Sequence, residues 1–263
     1  MDREIFNLMA QVEDDHWWFS ARRIIIYSLL NKFGPPPNAS ILEAGCGTGG
    51  NLRMLAGLGS VCAMELDEQA CQLARSRGIG QVVSGQLPDR IPFGNRSFDL
   101  VLMIDVLEHL DDDEASLHAL HERVRRGGLL MITVPAFQWL WSPHDVAHHH
   151  RRRYRANQLR EVVGRAGFDV LYLSYYNFLL FAPILAVRLA QRVSGLHIKD
   201  HGLALPPRPV NWALRQTFAA ERFVLGRASL ALGLSLILLA RNAQANAASG
   251  REQGEPSVGV ARS

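Results

Sequence analysis

The chain has 263 residues, of which 48% are apolar and 20% are charged. This composition supports a sizeable buried core and excludes a chain that is disordered throughout. The charge is unevenly distributed: residues 1–150 contain 12 Lys and Arg against 19 Asp and Glu, whereas residues 151–263 contain 16 against 6. A basic part of this kind is compatible with contact to phosphate, nucleic acid or an anionic membrane.

Residues 1–33 have a helical pattern, and the sequence Gly-Pro-Pro-Pro-Asn at 34–38 breaks it. Short apolar strands then alternate with helices. Asp67 is expected to cap one helix, with Gly78 beyond its end, and Gly127 and Gly128 are expected to stop another. Apolar strands that alternate with helices predict an α/β fold with a mostly parallel sheet covered on both faces. The predicted strands are 41–44, 61–64, 82–83, 98–104, 129–134 and 168–175, and the predicted helices include 51–58, 115–124 and 157–166.

The second part of the chain contains two long apolar stretches, 170–187 and 228–240. A membrane-spanning helix needs about 20 apolar residues. The second stretch is too short for one, and polar residues interrupt the first. An interfacial element and a buried core element remain the alternatives. Residues 242–263 have the composition of a disordered tail.

Two features bear on the cellular compartment. The N-terminal sequence lacks the basic and apolar regions of a secretory signal peptide. The three cysteines do not form a disulfide framework, which favours a reducing compartment.

The sharpest motif is a glycine-rich loop, Glu43-Ala44-Gly45-Cys46-Gly47-Thr48-Gly49-Gly50, between a predicted strand and a predicted helix. Such glycines allow a tight turn and let a ligand lie against the main chain. The spacing differs from the G-x-G-x-x-G dinucleotide fingerprint. Glu43 would repel a pyrophosphate but suits a ligand with an ammonium group. Glu65 ends the second strand, where a carboxylate can accept hydrogen bonds from ribose hydroxyls.

The E-x-G-x-G-x-G loop with an acid after the second strand resembles the class I S-adenosylmethionine-dependent methyltransferases. Segments 97–101 (SFDLV), 105–110 (DVLEHL) and 123–128 (RVRRGG) resemble later motifs of that family. The sequence His16-Trp17-Trp18-Phe19 resembles the HWWF motif that heads one of its subgroups. The subgroup resemblance extends to 144–154 and to 233–241, where it implies an antiparallel seventh strand.

The family resemblance implies roles for individual residues. Gly45, Cys46 and Gly47 would pack against the methionine part of the cofactor, with Glu43 near its amino group. Glu65 would hold the ribose. The adenine would lie against Leu66, Gly85, Gln86 and Leu87, and Asp105 would lie near the reacting methyl group.

The sequence also suggests residues for the acceptor. A hydroxyl acceptor must lose a proton, and histidine has a suitable pKa for a general base. His144 paired with Asp145, or His149, is the candidate catalytic base. The candidate substrate-binding residues are Trp17, Trp18, Arg152, Arg153 and Tyr154. The tryptophans either cover the cofactor and substrate or anchor a helix in the core. The arginines either contact a phosphate or carboxylate of the substrate, contact membrane headgroups, or form a solvated charge run. No metal is expected, because His148, His149 and His150 cannot face one point and no second ligand motif accompanies them.

The sequence therefore predicts an N-terminal helical lid (1–38), a methyltransferase domain (39–241) with an apolar helical insertion at about 178–232, and a disordered tail (242–263). The fold is expected to be Rossmann-like, with seven strands and helices on both faces. The function expected is S-adenosylmethionine-dependent O-methylation of a small or lipid-linked acceptor, such as a glycan or hydrophobic metabolite, leaving S-adenosylhomocysteine. The alternatives are N-methylation, an NAD(P)-dependent oxidoreductase, and a non-catalytic membrane-associated binding module. Nucleic acid is not expected as a partner. The predicted location is the cytoplasm, with possible contact at the inner face of the membrane.

Overall fold

The computed structural model of the protein describes residues 3–194 and 203–243. Two helices, α1 (Arg3–Val12) and α2 (Trp17–Phe33), precede the first strand, and the predicted break at 34–38 separates them from it. The other elements, in chain order, are β1 (Ala39–Ala44), α3 (Leu52–Ala56), β2 (Gly59–Glu65), α4 (Glu68–Ser76), β3 (Gln81–Ser84), β4 (Phe98–Ile104), α5 (Asp113–His121), β5 (Val124–Pro135), α6 (Pro143–Ala147), α7 (Ala156–Arg165), β6 (Phe168–Tyr176), α8 (Phe181–Ser194), α9 (Arg208–Ala219) and β7 (Ser235–Asn242).

The seven strands form one sheet in the order β3-β2-β1-β4-β5-β7-β6. Strand β7 is antiparallel to both of its neighbours, and the pairs among β1 to β5 are parallel. The Rossmann-like fold and the antiparallel last strand are thus confirmed. Because β1 and β4 are adjacent but connect to opposite halves of the sheet, the loops after them lie side by side at the topological switch point, where such sheets bind ligands.

Alternate residues of each strand enter two different cores, which explains why the strands are apolar on both faces. Ile41 of β1 and Ile237 of β7 pack in one core with helices α2, α3, α4 and α9. Leu42 and Leu238 pack in the other core with helices α5 and α7. Side chains in a strand alternate between faces, so the two-residue period places helices on both sides of the sheet.

Local capping signals have the expected effects in helix α4. The Asp67 side chain accepts a hydrogen bond of 3.0 Å from the Ala70 amide and so caps the helix, as predicted. Gly78 follows the end of α4 with a φ of 64°.

The glycine pair at 127–128 was expected to stop a helix, and this prediction is wrong. Helix α5 ends at His121, and both glycines lie within β5. The β4–β5 register shifts between Phe98 and Leu100, and a Cβ at Gly128 would lie 3.1 Å from the Asp99 carbonyl oxygen. These glycines therefore accommodate a close approach of two strands at a bulge.

The segment between β6 and β7 contains helices α8 and α9. Glu221 is buried near the end of this segment and joins it to its start, since its carboxylate accepts hydrogen bonds from the amides of Asn177 (2.7 Å) and Leu179 (2.9 Å). Asn242 belongs to β7, so the predicted tail starts too early; residues 244–263 of that tail lie outside the described part of the chain. Within the described helices, none combines the length and apolarity that a bilayer span requires.

Candidate active site

A cavity of about 1370 Å³ opens at the carboxyl ends of the parallel strands. Its lining divides into two parts. The glycine-loop side consists of residues 45–48, 50, 64–68 and 85–89, which lie at or just after the carboxyl ends of β1, β2 and β3. The histidine side consists of His109, His144, His148, His150 and their neighbours, which follow β4 and β5. Asp105, directly after β4, lines the cavity between the two sides.

Backbone hydrogen bonds shape the glycine loop. The amides of Gly45 and Cys46 both donate to the Met64 carbonyl, at 2.8 and 3.0 Å, so the loop folds back over the end of β2. Gly45 has a φ of 79°, and a Cβ there would lie 2.6 Å from a methyl group of Val106. Gly47 has a φ of 53° and open space where a Cβ would be. The loop thus presents bare main chain to the cavity, as a close-fitting ligand requires.

Glu65 lies at the rim of this loop. One carboxylate oxygen accepts a hydrogen bond of 2.8 Å from the Gly47 amide, and the other accepts from the amides of Leu66 and Asp67. The Leu66 side chain beside it is 57% exposed, which is unusual for leucine and leaves a flat apolar surface in the cavity wall. Gly85, Gln86 and Leu87 complete this part of the wall.

Glu43, which is predicted to lie near the amino group of the cofactor, lies behind the loop and does not line the cavity. Its side chain is buried; one oxygen accepts a 2.7 Å hydrogen bond from Asn51, and the other has no hydrogen-bond partner among the described residues. Burial raises the pKa of Glu43 to about 7. Glu43 can therefore act on a ligand's ammonium group by charge across the loop, and only in its ionised form.

The turn between α1 and α2 packs directly on the glycine loop. Glu13 accepts hydrogen bonds from the Thr48 hydroxyl and from Arg77, and a Cβ at Gly50 would collide with its carboxylate. Arg77 also donates to the Thr48 carbonyl at 2.7 Å. Burial raises the pKa of Glu13 above its ordinary value. The N-terminal segment therefore closes one wall of the cavity.

Arg22 of α2 joins the same segment to the centre of the cavity. Its guanidinium forms a salt bridge with Asp105, and Asp105 also accepts a 2.8 Å hydrogen bond from the Thr133 hydroxyl. Asp105 has a φ of 55°, a left-handed conformation that Asp adopts more readily than most residues. These contacts fix the orientation of the carboxylate that lies between the two sides of the cavity.

The Asp145 carboxylate is bound by Arg153 and His150, whereas the sequence paired it with His144. The buried carboxylate accepts hydrogen bonds from Arg153 at 2.7 and 2.9 Å, from the Ser142 amide at 2.7 Å and from His150 Nδ1 at 2.9 Å. Burial by itself would raise the pKa of Asp145, but the hydrogen bonds from His150 and Arg153 lower it below the ordinary value. Asp145 is therefore a buried anion that organises the loop after β5.

The predicted histidines have different positions. His144 lines the cavity, with its ring centroid 4.0 Å from that of His148 and 6.0 Å from that of His150. His149 is exposed and does not line the cavity, which argues against its predicted role as a base.

The arginines at 151–153 form ion pairs within the protein. Arg153 is held by Asp145, and Arg152 forms an ion pair with Asp113 at 3.0 Å while donating to the Leu110 carbonyl at 3.0 Å. The Tyr154 hydroxyl donates to the same Asp113. Neither Arg152 nor Tyr154 lines the cavity, so their predicted contact with the substrate lacks the required geometry. Arg153 does line the cavity, with its guanidinium held by Asp145. These side chains attach the loop after β5 to the segment that follows β4.

Both tryptophans of the N-terminal motif line the cavity, as the substrate prediction requires. Trp18 stacks on Phe218 of α9 with ring centroids 5.1 Å apart, and the Trp17 amide donates to Asn211 of the same helix at 2.9 Å. The C-terminal half of α2 is buried in the core, where Ile25 is fully inaccessible. Helix α2 therefore contributes both to the wall of the cavity and to the hydrophobic core.

Sequence reasoning missed several residues of the histidine side. Glu108, His109 and His150 place their ligand atoms within 4.8 Å of one another, and burial lowers the pKa of His109 to about 4. Asn177 also lines the cavity, fully buried, with neither side-chain polar atom bonded within the described structure. Glu108 and His109 lie in the DVLEHL segment, which was identified as a motif without a role for either residue.

Comparison with known proteins finds similarity to methyltransferases. The family model described as a methyltransferase domain matches residues 17–173. A "Probable S-adenosylmethionine-dependent methyltransferase" of Mycobacterium tuberculosis is 29% identical over 166 residues, covering 61% of this chain and 58% of that protein. A malonyl-[acyl-carrier protein] O-methyltransferase of Pseudescherichia vulneris is 26% identical over 204 residues, covering 73% and 78%. Among solved structures, the methyltransferase determined with the Trm112 activator of Haloferax volcanii aligns with a TM-score of 0.58 at 17% identity, covering 92% and 95%.

The aligned part of this chain spans 61% and 58% of the first two curated relatives. The structural likeness concerns the fold. Membership of the HWWF subgroup stays a prediction.

Proposed function

The chain belongs to the class I S-adenosylmethionine-dependent methyltransferases, and we propose that it transfers the methyl group to an oxygen atom of a small acceptor. One observation carries this proposal. A single cavity connects the bare glycine loop with a wall of histidines, and Asp105 lies between them. Its volume of about 1370 Å³ exceeds what one small ligand occupies, so it has room for the cofactor and an acceptor.

The glycine-loop side fits S-adenosylmethionine. Gly45, Cys46 and Gly47 would hold the methionine part, because the two glycines present main chain where a side chain would intrude. Glu65 would accept hydrogen bonds from the ribose hydroxyls after releasing the Gly47 amide. Leu66, Gly85, Gln86 and Leu87 would flank the adenine, and Glu43 would attract the ammonium group from behind the loop.

The histidine side would bind and deprotonate the acceptor. When bound, S-adenosylmethionine would supply an electrophilic methyl carbon on a sulfonium, which would leave as neutral S-adenosylhomocysteine once the acceptor oxygen carries the methyl group. We assign His144 to take the hydroxyl proton, because it lines the cavity whereas His149 does not. Asn177 has free donor and acceptor capacity toward the acceptor. Arg22 holds the Asp105 carboxylate in place. Asp105 would therefore restrict the orientation of the acceptor relative to the methyl group of the cofactor.

An apolar acceptor suits the remaining wall. Phe6 and Met9 of α1, Ile184 of α8 and Leu234 before β7 line the cavity together with Trp17 and Trp18. Arg152 and Arg153 are already paired with Asp113 and Asp145. The arginine run therefore gives no reason to expect a negatively charged acceptor. Three of the similar proteins are named O-methyltransferases, one of them acting on a malonyl group carried by acyl-carrier protein, and this supports oxygen as the accepting atom.

N-methylation of a small amine is the alternative within the same cavity. An amine with a free electron pair does not need a base before it attacks the methyl group. The two reactions therefore make opposite predictions for His144. Exposed apolar residues on α8 and α9, including Val187 and Trp212, would suit a lipid-linked acceptor or a membrane surface. Both that partner and the cytoplasmic location stay proposals.

The test is transfer of a labelled methyl group from S-adenosylmethionine to a panel of small hydroxy and amino compounds, each with and without an apolar chain. We expect hydroxy compounds to be labelled, and we expect His144→Ala to lower turnover about 100-fold or more with unchanged affinity for S-adenosylhomocysteine, because general base catalysis contributes about 10²–10⁴ in rate. His118→Ala, an exposed histidine on α5, is the matched control. Labelling of amines alone, or full turnover in His144→Ala, would contradict the proposal.

A further inference from the structure

We propose that Glu108, His109 and His150 form a binding site for a divalent transition-metal ion in the histidine side of the cavity. Glu108 and His109 lie in the short 3₁₀ turn after β4, and His150 comes from the loop after β5. The carboxyl ends of these adjacent parallel strands bring the three side chains together, with ligand atoms no more than 4.8 Å apart. All three residues line the cavity.

Glu108 supplies the first independent reason to expect a cation. Its side chain is fully buried, and neither carboxylate oxygen has a hydrogen-bond partner within the described structure. A buried carboxylate without partners is costly unless it is protonated or paired with a cation. His150 Nε2 is 4.0 Å from the nearer oxygen, which is too far for a hydrogen bond but leaves space for an ion between the two groups.

His150 supplies the second reason, because its ring is held in the orientation of a metal ligand. Its Nδ1 is 2.9 Å from an oxygen of Asp145, and Asp145 is itself fixed as an anion by Arg153. Hydrogen bonding to a carboxylate favours the proton on Nδ1, which leaves the Nε2 electron pair directed toward Glu108. A carboxylate that orients a histidine in this way is the usual outer partner of a metal-bound imidazole.

The donor set indicates the class of ion. One carboxylate and two imidazoles suit Zn²⁺, Mn²⁺, Fe²⁺ or Co²⁺ better than Ca²⁺ or Mg²⁺, which prefer oxygen ligands. Donors at about 2.1 Å from one ion lie roughly 3–4 Å apart, so binding would contract the cluster by about 1 Å. Three protein ligands leave further coordination positions open toward the cavity.

The open positions give the ion a role, which rests on the proposed oxygen methylation. A metal ion lowers the pKa of an oxygen bound to it and so makes a hydroxyl acceptor easier to deprotonate. The His144 ring is centred 6.0 Å from that of His150, on the same wall, and would take the released proton. The ion and His144 would thus share the activation of one hydroxyl group.

The experiment is a calorimetric titration of the full chain, freed of metal by a chelator, with ZnCl₂ alone. We expect one site per chain, with affinity lowered about tenfold or more in Glu108→Gln and in His150→Ala, because changes at or beside metal ligands typically cost 10–100-fold. His118→Ala is again the matched control, since it removes an exposed histidine and leaves the cluster intact. If Glu108→Gln fails to fold, His109→Gln replaces it in the test. His109 is only partly buried, so its substitution is less damaging to the fold.

Equal zinc affinity in the wild type and in the cluster variants would overturn the proposal, because the bound ion would then lie at other histidines. The absence of saturable binding in the wild type would overturn it as well. The titration needs neither cofactor nor acceptor, so its result is separate from the proposed function. A protein that binds zinc at the cluster but labels only amines would retain the metal site and lose the oxygen acceptor.

Discussion

The two sides of the cavity are built by different kinds of interaction. On the glycine-loop side, main-chain amides bond to a strand about 20 residues away, as Gly45 does with the Met64 carbonyl. On the histidine side, buried side chains hold the wall, as Arg153 does with Asp145, and the loop is joined to a distant segment through Arg152 and Asp113. The shape of the glycine-loop side therefore depends on glycines that lack side chains, and the shape of the histidine side depends on charged side chains.

This contrast has a consequence for tolerance to substitution. A glycine loop is damaged by added volume but has little charge to lose. A buried ion-pair network tolerates small changes in shape but not the loss of one partner, since the other charge then stays buried without compensation. Three experiments test whether the two sides differ in this way.

The largest effect is expected from Asp145→Asn, which keeps the side-chain volume and removes the charge. The Arg153 guanidinium would stay buried and charged. The Ala136 carbonyl and the one side-chain oxygen left at position 145 could still accept its hydrogen bonds, but the negative charge that pairs with it would be lost. Breaking a buried pair in this manner costs about 3–5 kcal/mol in the free energy of unfolding. Urea unfolding at neutral pH measures the loss.

The control for this variant is Asp111→Asn. Asp111 pairs with Arg151 at 2.6 Å, but both side chains are more than half exposed, at 79% and 51%. Exposed pairs contribute about 0–1 kcal/mol. Similar stability losses in the two variants would show that burial does not distinguish the histidine side.

The next effect is expected from Gly45→Ala on the opposite side. An added Cβ would lie 2.6 Å from Val106 and would occupy a left-handed conformation. Strain and overpacking together predict a loss of about 2–3 kcal/mol, or 30-fold or more, in affinity for S-adenosylhomocysteine. Calorimetry measures the affinity.

Gly78→Ala is the matched control, since Gly78 also has a positive φ of 64° but has open space around the position of a Cβ. It should lower stability by about 1 kcal/mol through strain and leave ligand affinity unchanged. An equal loss of affinity in both variants would mean that backbone strain, and not the shape of the loop, controls binding.

The smallest effect is expected from pH. Burial raises the pKa of Glu43 to about 7, and only its ionised form attracts the ammonium group of the ligand. Affinity for S-adenosylhomocysteine should therefore rise about five- to tenfold between roughly pH 6 and 7.5, because binding favours the deprotonated carboxyl group. The charged groups that also act on Glu43 are Arg22, Glu13 and Glu65.

Glu43→Gln separates this effect from the other titrating groups. The amide keeps the shape and the hydrogen bond with Asn51 but cannot ionise. The variant should bind with an affinity that no longer rises over this pH range. A rise that persists in Glu43→Gln would assign the pH dependence to another group, such as the buried carboxyl group of Glu13.

The acidic and basic parts of the chain, residues 1–150 and 151–263, form ion pairs with each other in the folded protein. Arg151, Arg152 and Arg153 belong to the basic part, yet they pair with Asp111, Asp113 and Asp145 of the acidic part. The two parts therefore neutralise each other's charge beside the cavity. A charge count by segment did not reveal this, because these ion pairs form between residues that are 8 to 40 positions apart in the sequence.

The sequence by itself determined the sheet and the glycine-loop side. Strand and helix periods define which residues face each core, and Gly45, Gly47 and Glu65 lie within 22 residues of Glu43 on consecutive elements, so local patterns were sufficient. It also identified the tryptophans and the loop after β5 as parts of the site. Only the tertiary structure decided that Asp145 binds His150 and Arg153, that Glu43 lies behind the loop, and that Glu13 and Arg22 reach the cavity. These relations join segments far apart in the chain, and their partners are selected by packing and burial, which no local period encodes.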